Sequence, residues 1–357
     1  MVEPQAIGTP EGIAMGYHRI SIGLVAAALV TFPLQGSRAD TTPKVIEEVD
    51  FAISCGPSSQ QAFKHAVWTL HSFWYPEALE EFNAIAAFAA AGLDAAICYS
   101  KIAPDVPHAL HMPSHIFTRL GMWQQSIGSN RDAHSAALNY VHKTLAPGSY
   151  DQETLHTMDY LEYAYLQIAQ DGPAKEVLDE LMGFRQSAGP NLAGAYAVAA
   201  IPVRYALERR DWPAAAALSE PAIGFPLERF PWAEAMIAYA RALGNARTGN
   251  VAAAEGEISR LQSLEDKLKG NDTYWANQVE VQRLAAAGIL AHVQGDDKKA
   301  IALVRAAAEL DGTMDKHPAT PSSVLPAREL LADLLLELDQ PAAALVEYRA
   351  MLRTDPP

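Results

Sequence analysis

The feature that most narrows the folds open to this chain is a turn that keeps returning. Helical segments break at Leu120-Gly121-Met122-Trp123, Gln170-Asp171-Gly172-Pro173-Ala174, Arg210-Asp211-Trp212-Pro213-Ala214, Thr248-Gly249-Asn250-Val251-Ala252, Gln294-Gly295-Asp296-Asp297 and Leu338-Asp339-Gln340-Pro341-Ala342. Gly or Asn after a helix takes the left-handed cap conformation at little cost, and Pro just inside the next helix loses no hydrogen bond. Each turn is therefore specified locally. Small residues at the matching second-helix positions, Ser126, Ala174, Ala215, Ala253, Ala300 and Ala343, recur roughly every 38 to 48 residues.

Between the turns the apolar residues follow a helical period. Leu331, Leu334, Leu335 and Leu338 fall at i, i+3, i+4 and i+7 and form one stripe. The following helix is expected to answer with Leu345, Tyr348 and Leu352, while Ala342, Ala343 and Ala344 let the two backbones approach. The same logic sets Tyr274 to Val293 against Ala300, Ile301, Val304, Ala307 and Leu310. No window alternates with the period of two that a strand needs. A single helix pair cannot bury such a stripe, so the pairs must stack. The expected fold is all-α: an α-solenoid like the tetratricopeptide-repeat (TPR) type, a right-handed superhelix whose repeats exceed the usual ~34 residues. Its concave face is the expected binding surface, and residues 57–357 the repeat domain.

The first 39 residues read as a secretory signal. Ile20 to Phe32 is an apolar run too short to span a bilayer, preceded by His18 and Arg19 and followed by Ser37-Arg38-Ala39, which suits signal peptidase cleavage after Ala39. The acidic segment before it fits no leader and points to Met15 as the true start. Residues 40–56 read as an extended segment, and the mature chain as periplasmic or secreted with no membrane span. Cys55 and Cys98 could pair in an oxidising compartment or stand as isolated thiols. A net charge of -15 without a basic cluster excludes nucleic acid as a partner.

Several stretches resemble a bacterial family of exported TPR proteins: Phe51-Ala-Ile-Ser-Cys55, Leu70-His-Ser-Phe-Trp-Tyr-Pro-Glu-Ala78, Ala109-Leu-His-Met-Pro-Ser-His-Ile-Phe-Thr-Arg-Leu-Gly121, Met158-Asp-Tyr-Leu-Glu-Tyr-Ala-Tyr-Leu-Gln167 and Pro326-Ala-Arg-Glu-Leu-Leu-Ala332. The His-Met-Pro-Ser-His-Ile-Phe string is the specific one. The resemblance implies a fold and export rather than a reaction. A histidine-rich helix pair that similar proteins carry after the Phe82 region is missing here.

Chemistry concentrates in the histidines. His108, His111 and His115 share a short segment, and His156 and Asp159 open the next repeat's first helix. His111 and His115 at i, i+4 would share a helix face, as helical zinc sites require. Pro113 lies between them and is expected to start a helix, leaving His111 outside it and breaking that geometry. Gly-x-Ser-x-Gly, Gly-Lys-Ser and His-Glu-x-x-His motifs are absent. The aromatic cluster with His65 and His71, around Trp68 and Phe73, reads as core. The leading expectation is a non-catalytic scaffold without a cofactor. It would bind a peptide or protein partner through His115, Arg119, His156, Tyr160, Tyr163, Arg204 and Asn277. The alternative is a metal-binding or metal-dependent hydrolytic protein in which His111, His115, His156 and Asp159 hold a divalent ion such as zinc.

Overall fold

The computed structural model describes residues 89–354 apart from residue 102. The proposed leader, the 40–56 segment, Cys55 and the aromatic cluster around Trp68 lie outside the described residues. Almost everything described is helix: α1 (Ala89–Tyr99), α2 (Pro107–His111), α3 (Pro113–Arg119), α4 (Trp123–Thr144), α5 (Gln152–Gln167), α6 (Asp171–Gly183), α7 (Leu192–Glu208), α8 (Trp212–Ala216), α9 (Pro231–Arg247), α10 (Val251–Leu268), α11 (Thr273–Val293), α12 (Asp297–Asp311), α13 (Ala327–Glu337) and α14 (Pro341–Thr354). Two three-residue strands, β1 (Ser149–Asp151) and β2 (Gln186–Ala188), pair in parallel with Tyr150 opposite Ser187.

The recurrent turn is one structure built six times. A residue with positive φ sits at Gly121, Ala169, Arg210, Gly249, Gly295 and Asp339. The next residue's N–H reaches back five positions, from Met122 to Phe117, Gln170 to Tyr165, Asp211 to Ala206, Asn250 to Asn245, Asp296 to Ala291 and Gln340 to Leu335, each at 2.8 or 2.9 Å. This is the Schellman closure, which satisfies carbonyls orphaned at a helix end. That same residue then accepts, through its own carbonyl, the N–H of the small residue four positions on: Ser126, Ala174, Ala215, Ala254, Ala300 or Ala344. All six are essentially fully buried, at 0 or 1% exposure. In two repeats the contact residue is thus Ala254 or Ala344, one position beyond the expected Ala253 and Ala343, because the spacing is counted from the cap.

Helices pair across these turns, α3 with α4, α5 with α6, α7 with α8, α9 with α10, α11 with α12 and α13 with α14. First helices of successive pairs also touch: α5 meets α7, α7 meets α9, α9 meets α11 and α11 meets α13. The expected α-solenoid of TPR-like type is therefore what forms. One continuous core runs from Ile127 to Ala344, alanine-rich where backbones approach. At Gly244 an added Cβ would sit 2.3 Å from the backbone nitrogen of Ala216, so α8 and α9 are as close as a bare backbone allows.

The last pair departs from expectation. Leu331, Leu334 and Leu335 are buried as their stripe requires, but α14 answers with Ala344 and Glu347, leaving Leu345 and Leu352 exposed. Glu347 is held between Arg305 and Arg328, at 2.9 and 2.7 Å. Two guanidiniums make the acid the better inward residue, which apolar periodicity alone does not reveal. Among the described residues no helix is long and apolar enough to cross a membrane.

Candidate metal centre

Helices α2 and α3 do not part company at Pro113. Met112 between them has φ -52 and ψ -36, inside the α region, and its N–H still bonds the carbonyl of His108 at 3.0 Å. Pro113 contributes only the loss of a donor that the first turn of α3 does not use. The backbone therefore stays helical through the junction. His111 lies outside α3 as expected, yet the i, i+4 geometry expected to break is kept: His111 Nε2 stands 2.9 Å from His115 Nε2. Both short helices are pinned to α4, through Ser129 Oγ to the Leu110 carbonyl at 2.5 Å and Thr118 Oγ1 to Ser126 Oγ at 2.9 Å.

The third imidazole arrives from α5. Its N-terminus is fixed by Asp151, whose side chain caps the N–H of Thr154 at 2.9 Å at the point where β1 hands over to the helix. One turn later His156 faces the other two rings, with ring centroids 4.3 Å from His111 and 5.7 Å from His115. One ligand atom from each of His111, His115 and His156 lies within 4.8 Å of the others. Nitrogens bound to one zinc at about 2.1 Å in tetrahedral geometry stand about 3.4 Å apart, so shifts of order an ångström close the set.

Hydrogen bonds fix which nitrogen faces the centre. Asn130 donates its Nδ2 to the Ser126 carbonyl at 2.8 Å, which turns Oδ1 toward His111. His111 Nδ1–H must then donate to Asn130 Oδ1, at 2.6 Å, and its Nε2 carries the lone pair. Nε2–H of His115 fills the 2.9 Å gap to His111, and the Tyr160 hydroxyl donates to His115 Nδ1 at 3.0 Å. Moving the His115 proton to Nδ1 would free both Nε2 lone pairs, with Tyr160 turning from donor to acceptor. His156 Nδ1 is buried and has no hydrogen-bond partner among the described residues.

Burial holds all three rings neutral. Burial pushes His111 and His115 well below the usual imidazole range, helped by the neighbouring histidines, and takes His156 down to about 3. Neutral imidazole is the form that coordinates a metal.

Asp159 is placed differently. It lies one turn beyond His156 and accepts from Arg204 Nη1 at 2.9 Å, while Glu162 accepts from the same nitrogen at 2.8 Å. These three side chains are at most 1% exposed. Burial raises both carboxyls, against the pull of Arg204, and takes Glu162 to about 8, so Glu162 keeps its proton at neutral pH. Tyr163 covers the guanidinium at 5.1 Å. Of the residues expected to form a groove, His115, His156 and Tyr160 thus gather at the centre, and Tyr163 joins Arg204 beside it. Arg119 ends α3, and Asn277 sits half-buried on α11 with no hydrogen bond among the described residues. Asn130 was missed. Its signal is the Ser126, Asn130 pair at i, i+4 on the same face of α4 as Ala133 and Ala137.

No protein-family model matches the sequence, and no curated protein matches it. The repeat-like helical architecture and the histidine cluster stand on the structure.

The cluster overturns three expectations. A non-catalytic scaffold, a chain weighted against being an enzyme, and the absence of a cofactor rested on Pro113 separating His111 from His115, on the absence of a His-Glu-x-x-His motif and on the missing histidine-rich helix pair. The helical Met112 keeps the histidines together, as a compact set of three neutral imidazoles that could hold a metal ion.

Proposed function

We propose that His111, His115 and His156 hold one divalent metal ion such as zinc, and that the protein is a metal-dependent hydrolase. The observation that carries this reading is the convergence of three ligand atoms within 4.8 Å on rings that burial keeps neutral. The unpartnered Nδ1 of His156 supports it, since a buried polar atom left without a partner costs about 1–3 kcal/mol. Three protein ligands leave a tetrahedral ion one open position, as in catalytic rather than structural zinc sites. A bound ion would supply Lewis acidity and a hydroxide at neutral pH. The chain's own part is to orient. Asn130 sets the ring of His111, Tyr160 accommodates either tautomer of His115, and the Arg204 pair with Asp159 fixes α5 against α7 beside His156.

Metal analysis of the purified full chain tests the reading, followed by thermal melts with and without a chelator. One equivalent of metal and a chelator-induced fall in Tm, both lost in His111→Ala and His156→Ala, are expected. A chain that carries no stoichiometric metal and whose Tm does not respond to added zinc would sink it.

The finer classification belongs to the same proposal. The Schellman turns and stacked pairs favour the TPR type over other helical repeats. The apolar run at Ile20 to Phe32 with Ser37-Arg38-Ala39 favours a leader at 1–39, an extended segment at 40–56, a repeat domain at 57–357 and export to the periplasm.

A further inference from the structure

The row that supplies two of the ligands ends in a cation. His111, His115 and Arg119 are spaced i, i+4, i+8 along α2 and α3, and the helical backbone at Met112 keeps all three on one face, a turn apart. Tyr160 closes the same spot from α5, bonded to His115 at 3.0 Å, and the charge of Arg119 acts on its hydroxyl. Arg119 is half-buried and makes no ion pair or side-chain hydrogen bond among the described residues.

Among the described residues every other arginine that is buried or half-buried is ion-paired with an acid. Arg204 is shared by the carboxyl groups of Asp159 and Glu162, Arg283 is held by Glu265 at 2.7 Å and Arg328 by Glu347 at 2.7 Å. A second positive group acts on the centre from the segment after α12, where the charge of Lys316 reaches both His115 and Asp159. Arg119, one turn beyond His115, is the exception, with no acid paired to it among the described residues. A guanidinium in that state is matched by an oxyanion, which it grips with two parallel N–H bonds.

We propose that the centre acts on a substrate bearing an oxyanion group, a carboxylate or a phosphate, which Arg119 clamps beside the metal's open position. The proposal rests on the metal reading and adds the substrate class to it. Arg119 would then set both affinity and orientation, because a fixed anion one helical turn from His115 leaves the adjoining bond to face the ion.

Cobalt(II) in place of the native ion gives the test, since its visible absorption reports on ligands at the open position. The full chain is loaded with cobalt and titrated separately with inorganic phosphate and with acetate. Wild type is expected to bind one cobalt and to respond saturably to at least one of the two anions. Arg119→Ala and Arg119→Gln should still bind one cobalt, with anion affinity at least tenfold weaker, and Arg119→Lys should recover part of the loss. The anion whose binding depends on Arg119 identifies the group. Unchanged affinity in the cobalt-loaded Ala or Gln variant overturns the clamp and leaves the metal reading intact, as does a loaded wild type blind to both anions. Failure of wild type to take up cobalt removes the metal reading, and the clamp with it.

Discussion

At His111 the decisive atom is Nδ1, because the acceptor opposite it determines what Nε2 can do. Asn130→Leu keeps the volume and removes that acceptor, leaving a buried N–H unsatisfied and the ring free to change tautomer. Metal affinity is expected to fall 10–100-fold, the usual effect of losing an outer-shell partner, as read by competition with a chromophoric chelator. Affinity equal to wild type would exclude Asn130 from orienting the ligand. Beside it, Arg204 separates two kinds of buried carboxyl. Arg204→Met strands Asp159 and Glu162 in the interior and should cost about 3–5 kcal/mol in urea unfolding. Glu162→Gln should cost about 1 kcal/mol or less at pH 7, because a carboxyl raised to about 8 is already neutral and the amide resembles it. Equal losses in the two variants would mean that Glu162 is ionised in the folded chain. The histidines themselves were legible in the sequence, since i, i+4 spacing and crowding into one segment need no tertiary knowledge. Two things were not: that Met112 would carry the helix across Pro113, and that Arg204, 45 residues on, would take up Asp159.

The elements were read more completely than the site, for a physical reason. Each Schellman turn is written within about ten residues, so turn, cap and small contact residue can be found locally, and six such turns dictate stacking. What local reading lost was a side chain's direction where ion pairs outcompete apolar periodicity, as on α14, where Glu347 turns inward and Leu345 does not. The turns also differ in cost. Gly121, Gly249 and Gly295 take positive φ freely, whereas Ala169, Arg210 and Asp339 hold it against Cβ, at about 1–2 kcal/mol each. Ala169 is exposed, so its side chain contributes little packing. Ala169→Gly is therefore expected to stabilise the fold by about 1 kcal/mol and raise Tm by about 2–4 °C in a calorimetric scan. A lower Tm would show that the turn is not under strain.

Across the whole molecule, stacking sets acids from different repeats against one another. Glu329 on α13 faces Glu208 at the end of α7 and Asp333 on its own helix, with Arg210 opposing them and Tyr348 of α14 bonded to Asp333. Burial first, and then those two carboxylates, raise Glu329 from 4.5 to about 7. A raised acid stabilises the fold most where both states keep the proton. Below about pH 4.5 its contribution is whole; between about 4.5 and 7 the unfolded chain releases a proton that the folded chain retains, and stability drains away as pH rises. Above about 7 the loss is complete and the term is flat. The overall charge of -15 acts in the same sense, since self-repulsion grows as the acids ionise. The two contributions separate in Glu329→Gln, which removes the local one and barely alters the global one. Urea midpoints measured at pH 5, 6, 7 and 8 should fall for wild type and fall less for the variant, with the curves diverging most between pH 5 and 7, running near parallel from 7 to 8, and the variant the more stable at pH 8. Parallel curves would assign the whole pH dependence to the net charge and none of it to the contact between repeats.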